Sequence, residues 1–166
     1  MKKLFILIFI LILPNNLFAQ NQVIGTVTLA IGEIKTLDNR VLNAGDSIYF
    51  NETVIAGDNS KSQIILLDET VMMIGSGTEL TIDEFIFNPD NLKGKITTSI
   101  KQGSIKVLSG KISETNPEDL IIKTPAGTIG TRGTEFQALV DEEEGDSKIL
   151  LIGPGPNNTL GLRPGE

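Results

Sequence analysis

Paired carboxylates are the first residues whose types could do chemistry. Asp68-Glu69 and Asp83-Glu84 supply the residue type that glycosidases use as acid and base. Adjacent residues on a strand point to opposite faces, so neither pair converges by itself. Turn and bulge polarity accounts for both. The run Asp141-Glu142-Glu143-Glu144-Gly145-Asp146 has the charge for calcium. It lacks alternating ligand spacing and a bidentate acid at the right distance. It reads as a solvated hairpin loop between strands ending at Val140 and starting near Lys148. Asn51-Glu52-Thr53 and Asn157-Asn158-Thr159 fit the glycan acceptor triplet, a pattern common by chance. The stretch from Lys123 to Phe136 is different in kind, with glycine at 127, 130 and 133. It is no phosphate loop, because Gly-Lys-Ser/Thr is absent and no helical segment follows. Its glycines read as suppliers of positive φ leading into a strand at Thr134. Pro125 stiffens the start, and Arg132 is the one arginine, placed to brace carbonyls or pair with a carboxylate.

Composition removes most other chemistry. The 166 residues include 14 Lys or Arg and 21 Asp or Glu, for a net charge of −7, and no His, Cys or Trp. Without Cys there is no disulfide, thiolate nucleophile or Cys-based metal site. Without His there is no Ser-His-Asp triad and no side chain titrating near neutrality. An acidic chain lacks the clustered positive charge that nucleic acid requires. The chain therefore reads as no enzyme, with no cofactor, no metal and no nucleic-acid partner.

Residues 1–19 read as a secretory signal. Lys2 and Lys3 precede the apolar run Leu4–Leu13, Pro14-Asn15-Asn16 breaks it, and Leu17-Phe18-Ala19 offers a cleavage site before Gln20. The run is shorter than the ~18–20 residues that span a bilayer, so no transmembrane span is expected after cleavage. The product is then one domain, 20–166, with 166 − 19 = 147 residues and a charge of 12 − 21 = −9, located in the periplasm or secreted. A domain of that size buries roughly 70% of its unfolded surface, enough for one core without disulfides.

The elements that must position these residues are strands. Short β-rich runs are cut by Gly, Asn and Asp, which predicts an all-β, single-domain sandwich or roll, with a short β-solenoid as the alternative. Predicted strands are Val23–Leu29, Gly32–Leu37, Ser47–Phe50, Ser62–Leu67, Val71–Ile74, Glu79–Phe87, Lys95–Ile100, Ser104–Leu108, Leu120–Lys123, Thr134–Val140 and Lys148–Ile152. Phe136, Ala138 and Val140 share one face. Leu80 and Ile82 are out of phase with Phe85 and Phe87, which predicts a bulge at Asp83 or Glu84. Ile64–Leu67 and Val71–Ile74 are continuously apolar and read as strands covered on both faces, joined by a turn at Asp68-Glu69-Thr70. Asn88-Pro89-Asp90-Asn91-Leu92 and Asn116-Pro117-Glu118-Asp119-Leu120 each predict an Asn-capped helical turn.

Residues 124–136, Thr124-Pro125-Ala126-Gly127-Thr128-Ile129-Gly130-Thr131-Arg132-Gly133-Thr134-Glu135-Phe136, resemble the T-P-x-A-T-I-G-x-R-G-T-E-F signature of the FecR-like domain. Leu42-Asn43-Ala44-Gly45-Asp46-Ser47-Ile48 is similar to its L-x-x-G-D-x-I, and Thr53–Gly57 to its T-V-x-T-G. Ser62–Ile74 resembles the segment built on a D-G-S turn, with Asp68-Glu69-Thr70 at the turn and Glu69 where the family has Gly. Thr78–Phe87 and Gly103–Gly110 match two further segments, and the likeness runs from Val23 to Ile152. The family pattern continues with further strands, so a member shortened at its C-terminal end is expected.

The resemblance implies an exported all-β domain. In the namesake regulators this domain sits in the periplasm, tethered to a cytoplasmic anti-sigma segment, and relays a signal from an outer-membrane siderophore transporter. Only Met1-Lys2-Lys3 precede the apolar run, so the expectation is a stand-alone exported member that lacks the cytoplasmic arm and contacts an envelope protein. A cell-wall or carbohydrate-associated binding module is the alternative, although one Tyr and no Trp make a thin sugar platform. Some relatives are also thought to cleave themselves at a Gly-Thr bond of the signature by an acyl shift. The resemblance places that bond at Gly133-Thr134.

Overall fold

The computed structural model describes residues 22–130, 134–141 and 147–154. The signal segment 1–19, Thr131, Arg132, Gly133 and the acidic loop 142–146 lie outside the described residues. The chain is all-β, a curled, mostly antiparallel sheet in a half-barrel or sandwich-like arrangement. Its strands in chain order are β1 (Val23–Ile31), β2 (Ile34–Thr36), β3 (Ser47–Tyr49), β4 (Thr53–Ala56), β5 (Lys61–Leu66), β6 (Val71–Ile74), β7 (Glu79–Asn88) and β8 (Lys93–Leu108). A short helix α1 (Lys111–Thr115) and a 3-10 turn (Pro117–Asp119) precede β9 (Leu120–Thr124), β10 (Gly127–Gly130), β11 (Thr134–Val140) and β12 (Ser147–Pro154).

Strand β8 organises the fold. The two strands predicted at Lys95–Ile100 and Ser104–Leu108 are one strand of 16 residues that serves two limbs of the sheet. Its first part pairs with β7 on one side and, in parallel, with β9 on the other; its last part pairs with β6 and β11. One limb therefore runs β2-β4-β7-β8-β9-β10 and the other β3-β1-β5-β6-β8-β11-β12. Gly103 forms the corner at φ +93, where an added Cβ would lie 2.4 Å from Thr78 Cα. The Thr78 hydroxyl ties the corner, donating to the Ser104 carbonyl at 3.0 Å and accepting from the Ser104 amide at 3.0 Å. The inner faces of both limbs share one apolar core that includes Ile24, Ile64, Met72, Leu80, Ile96, Ile122 and Phe136.

The predicted bulge is present, because the β7–β8 register shifts between Ile82 and Glu84 and leaves both Ile82 and Phe85 buried. Three expectations change. Strands β5 and β6 are not covered on both faces. Ile64, Leu66, Met72 and Ile74 are buried, whereas Ile65, Val71 and Met73 are only partly so and Leu67 is 55% exposed. Asn88–Leu92 is a hairpin turn rather than a helical one. Asn88 pairs directly with Lys93, and the side chains of Asn88 and Asn91 accept from the Asp90 and Lys93 amides. Leu92 at φ +58 leaves the helical region altogether. The second Asn-Pro segment does form its turn, but Asn116 makes no cap and donates instead to Asp119 Oδ2 at 2.8 Å. Local sequence pattern predicts neither strands β4 and β10 nor helix α1.

Candidate functional site

The signature segment spans two limbs. Leu120–Thr124 and Gly127–Gly130 form a hairpin at the end of one limb, turning at Pro125-Ala126. Strand β11 then lies inside the other limb, between β8 and β12. Phe136 is fully buried and pairs across the ladder with Val107, so this end of the signature belongs to the core. The hairpin is the opposite case. Its first strand still gives Leu120 and Ile122 to the core, but beyond Thr124 the residues Pro125, Ala126, Gly127, Thr128 and Gly130 are exposed and Ile129 alone packs partly on the core. Thr124 fixes the tip, donating from Oγ1 to the Gly127 carbonyl at 3.1 Å and accepting from Ser147 Oγ at 3.0 Å. Of the proposed self-cleavage pair, the backbone of Thr134 opens β11, while Gly133, like Arg132, lies outside the described residues.

Beside the hairpin, the outward face of its limb carries a rank of polar side chains. Cross-strand partners run Thr53, Thr81, Ser99, Lys123 and Thr128 over five strands. Thr53 and Thr81 share a hydrogen bond of 2.8 Å. Thr81, Ser99, Lys101, Lys123, Thr124 and Pro125 line a shallow groove of about 350 Å³.

The other predicted residues serve the fold. Asp68 is fully buried, and its carboxylate accepts from the Thr70 amide at 3.1 Å, the Thr70 hydroxyl at 2.7 Å and the Ile112 amide at 3.5 Å. Its carbonyl accepts from the Lys111 amide at 2.8 Å, and Thr70 Oγ1 accepts from the Gly110 amide at 3.2 Å. The β5–β6 turn thus supplies the partners that start α1. An added Cβ on Gly110 would meet Thr70 N at 2.3 Å, so only glycine allows this approach. Glu69 adopts φ +71, the left-handed region that a glycine would take there, and its carboxylate pairs with Lys111. Burial pushes the Asp68 carboxyl up, with the bonds from Thr70 and Ile112 opposing. Gly45-Asp46 clamps β1, since Gly45 N donates to the Val27 carbonyl at 2.7 Å and Val27 N to the Asp46 carbonyl at 2.9 Å. Asp46 Oδ2 closes the turn by accepting from the Asn43 amide at 2.7 Å.

The two acidic pairs do not converge. Asp68-Glu69 belongs to the turn just described, while Asp83 accepts from Ser99 Oγ at 2.5 Å on the other limb. Lys95, at 2.8 Å, and the Thr97 hydroxyl hold the Glu84 carboxyl below the usual carboxylate range. Among the described residues no group of three or more His, Cys, Asp or Glu could hold a metal, and no helix is long and apolar enough to cross a membrane. A second groove, of about 380 Å³, was not expected. It lies along Leu37, Asp38, Tyr49, Phe50 and Glu52. Arg40 pairs with Glu52 at 2.5 Å and stands 5.4 Å from the centre of the Tyr49 ring. Its residues come from separate turns between β2 and β4, and no single sequence run marks it.

The chain is an all-β domain in which one signature is divided between core and surface, with Phe136 buried and Pro125–Thr128 exposed. The family profile described as FecR protein matches residues 52–152, more than half of the chain, and the chain belongs to the FecR family. This is not a family of enzymes. No curated protein and no solved structure matches the chain.

Proposed function

We propose that this chain is an exported interaction domain of the bacterial envelope that works by binding a protein partner. Its partner is an envelope protein, and its role is related to that of the periplasmic regulators of siderophore uptake. One observation carries the reading. The FecR signature leaves the core after β9, exposes Pro125–Thr128 with no packing duty, and returns to the core at Phe136. Residues that neither fill a core nor perform chemistry are free to make contacts. Export rests on the apolar run Leu4–Leu13 and its polar break.

The test is retention of envelope proteins on the immobilised full-length mature chain. A reproducible partner, competed off by free domain, is the expected result; repeated failure to retain any protein overturns the reading. N-terminal mass analysis of protein secreted by its host is expected to begin at Gln20, and an intact Met1 overturns export by cleavage.

A further inference from the structure

With no Cys, His or Trp in the sequence, methionine is the side chain that a hydroperoxide oxidises most readily. Of the 3 methionines, Met1 belongs to the segment read as a signal, and Met72 and Met73 are neighbours in β6. Alternation along the strand sends the two to opposite faces of the sheet. Met72 is fully buried in the core, whereas Met73 is partly exposed on the outer face. One strand therefore presents one thioether to solvent and withholds the other.

The neighbours of the two sulfurs differ as much as their exposure. Met72 lies between Ile64 on β5 and Val107 on β8, both fully buried and both without a polar side-chain group. An oxygen added to its sulfur would enter the core with no donor from either neighbour, a costly burial. Met73 lies between Gln63 on β5 and Lys106 on β8. Directly opposed residues of an antiparallel pair have Cβ atoms about 5 Å apart, so both side chains reach the space around the sulfur. Gln63 Nε2 donates to Thr28 Oγ1 at 3.0 Å, and Lys106 pairs with Glu135. An amide nitrogen carries two hydrogens and an ammonium three, so each retains a donor among the described residues.

Met73 also borders the apolar part of this outer face. Val71 stands two residues before it, with Ile65 opposite on β5 and Leu108 opposite on β8, and Leu67 continues the patch at 55% exposure. A polar group at Met73 changes the chemistry of that face from its border, without entering the core.

We propose that Met73 is a modification site of the folded domain, oxidised to the sulfoxide by a hydroperoxide. With hydrogen peroxide, the sulfur lone pair attacks one peroxide oxygen, the O–O bond breaks and an S–O bond forms. Sulfur is oxidised by two electrons, and the peroxide is reduced by two, its second oxygen leaving as water with both hydrogens. The sulfoxide oxygen then accepts from Gln63 or Lys106, so the fold tolerates it. The assignment is independent of the reading of the chain as an interaction domain.

Hydrogen peroxide, added to the full mature chain, is the probe. Tandem mass spectrometry of the tryptic peptide Ser62–Lys93 follows the two sulfurs separately. In the folded chain Met73 is expected to gain oxygen at least about tenfold faster than Met72, and the two rates are expected to converge in denaturant. The singly oxidised chain is expected to melt within about 3 °C of the unoxidised one. Met73→Leu is expected to leave only the slow reaction at Met72, and Met72→Leu, a volume-conserving core change, to keep the fast one. Three results overturn the proposal: equal rates at the two sulfurs in the folded chain, first oxidation at Met72, or loss of cooperative melting once Met73 alone is oxidised.

Discussion

The β5–β6 turn and the β9–β10 hairpin both belong to the family pattern, yet the fold uses them in opposite ways. At the turn, Asp68, Thr70 and Gly110 satisfy one another and start α1, so each residue has a structural cause. At the hairpin, Thr128 is exposed and Gly130 meets no neighbour that would exclude a side chain. A shared pattern therefore does not distinguish structural from functional residues. What distinguishes them is whether the surrounding atoms already account for the residue.

Substitutions can break this contrast or sharpen it. The largest effect is expected from Phe136→Ala, which empties a fully buried site and costs about 3–5 kcal/mol by urea denaturation. A cost below about 1 kcal/mol would show that this end of the signature is not core. Asp68→Ala is next, expected at about 3 kcal/mol, because it strands the Thr70 and Ile112 amides without an acceptor. Loss of the α1 amide protection should accompany it.

The Asp68 carboxyl also has a signed pH dependence. Its folded pKa is raised, so its contribution is fully present below the ordinary Asp range and is lost as pH rises through the raised value. Stability of wild type relative to Asp68→Asn is therefore expected to fall from pH 3.5 to pH 7; a rise would refute desolvation as the governing influence. Thr98→Val removes a buried hydroxyl that has no partner among the described residues, and is expected to be neutral or stabilising by up to about 1 kcal/mol. The smallest effect belongs to the hairpin, where Gly130→Ala should stay within about 0.5 kcal/mol of wild type. A large loss would mean that the fold itself requires this glycine.

Much of the fold was legible before any coordinates. Strands β6 and β11 occupy their predicted spans, and the phase break between Ile82 and Phe85 located the bulge at β7. Alternation is a local property, set by neighbours in sequence, so it can be read there. The misses were nonlocal. Helix α1 has only five residues and forms because Asp68, more than forty positions away, accepts from its first turn. The composition of β10 predicts a glycine connection, because its pairing with β9, not its residue types, makes it a strand. The apolar runs at β5 and β6 suggested two covered faces, yet no layer among the described residues lies over Ile65, Val71 and Met73.

The sequence by itself determined the all-β class, the absence of His and Cys chemistry, the candidate export signal and the ordered motifs of the family. These follow from residue type and from a period of two, which need no knowledge of distant contacts. The tertiary structure alone decided that Asp68 is interior, that Glu69 takes the left-handed turn without a glycine, and that the signature divides between core and surface. Burial and edge exposure depend on which strands meet, and that is fixed by long-range packing around the corner of β8.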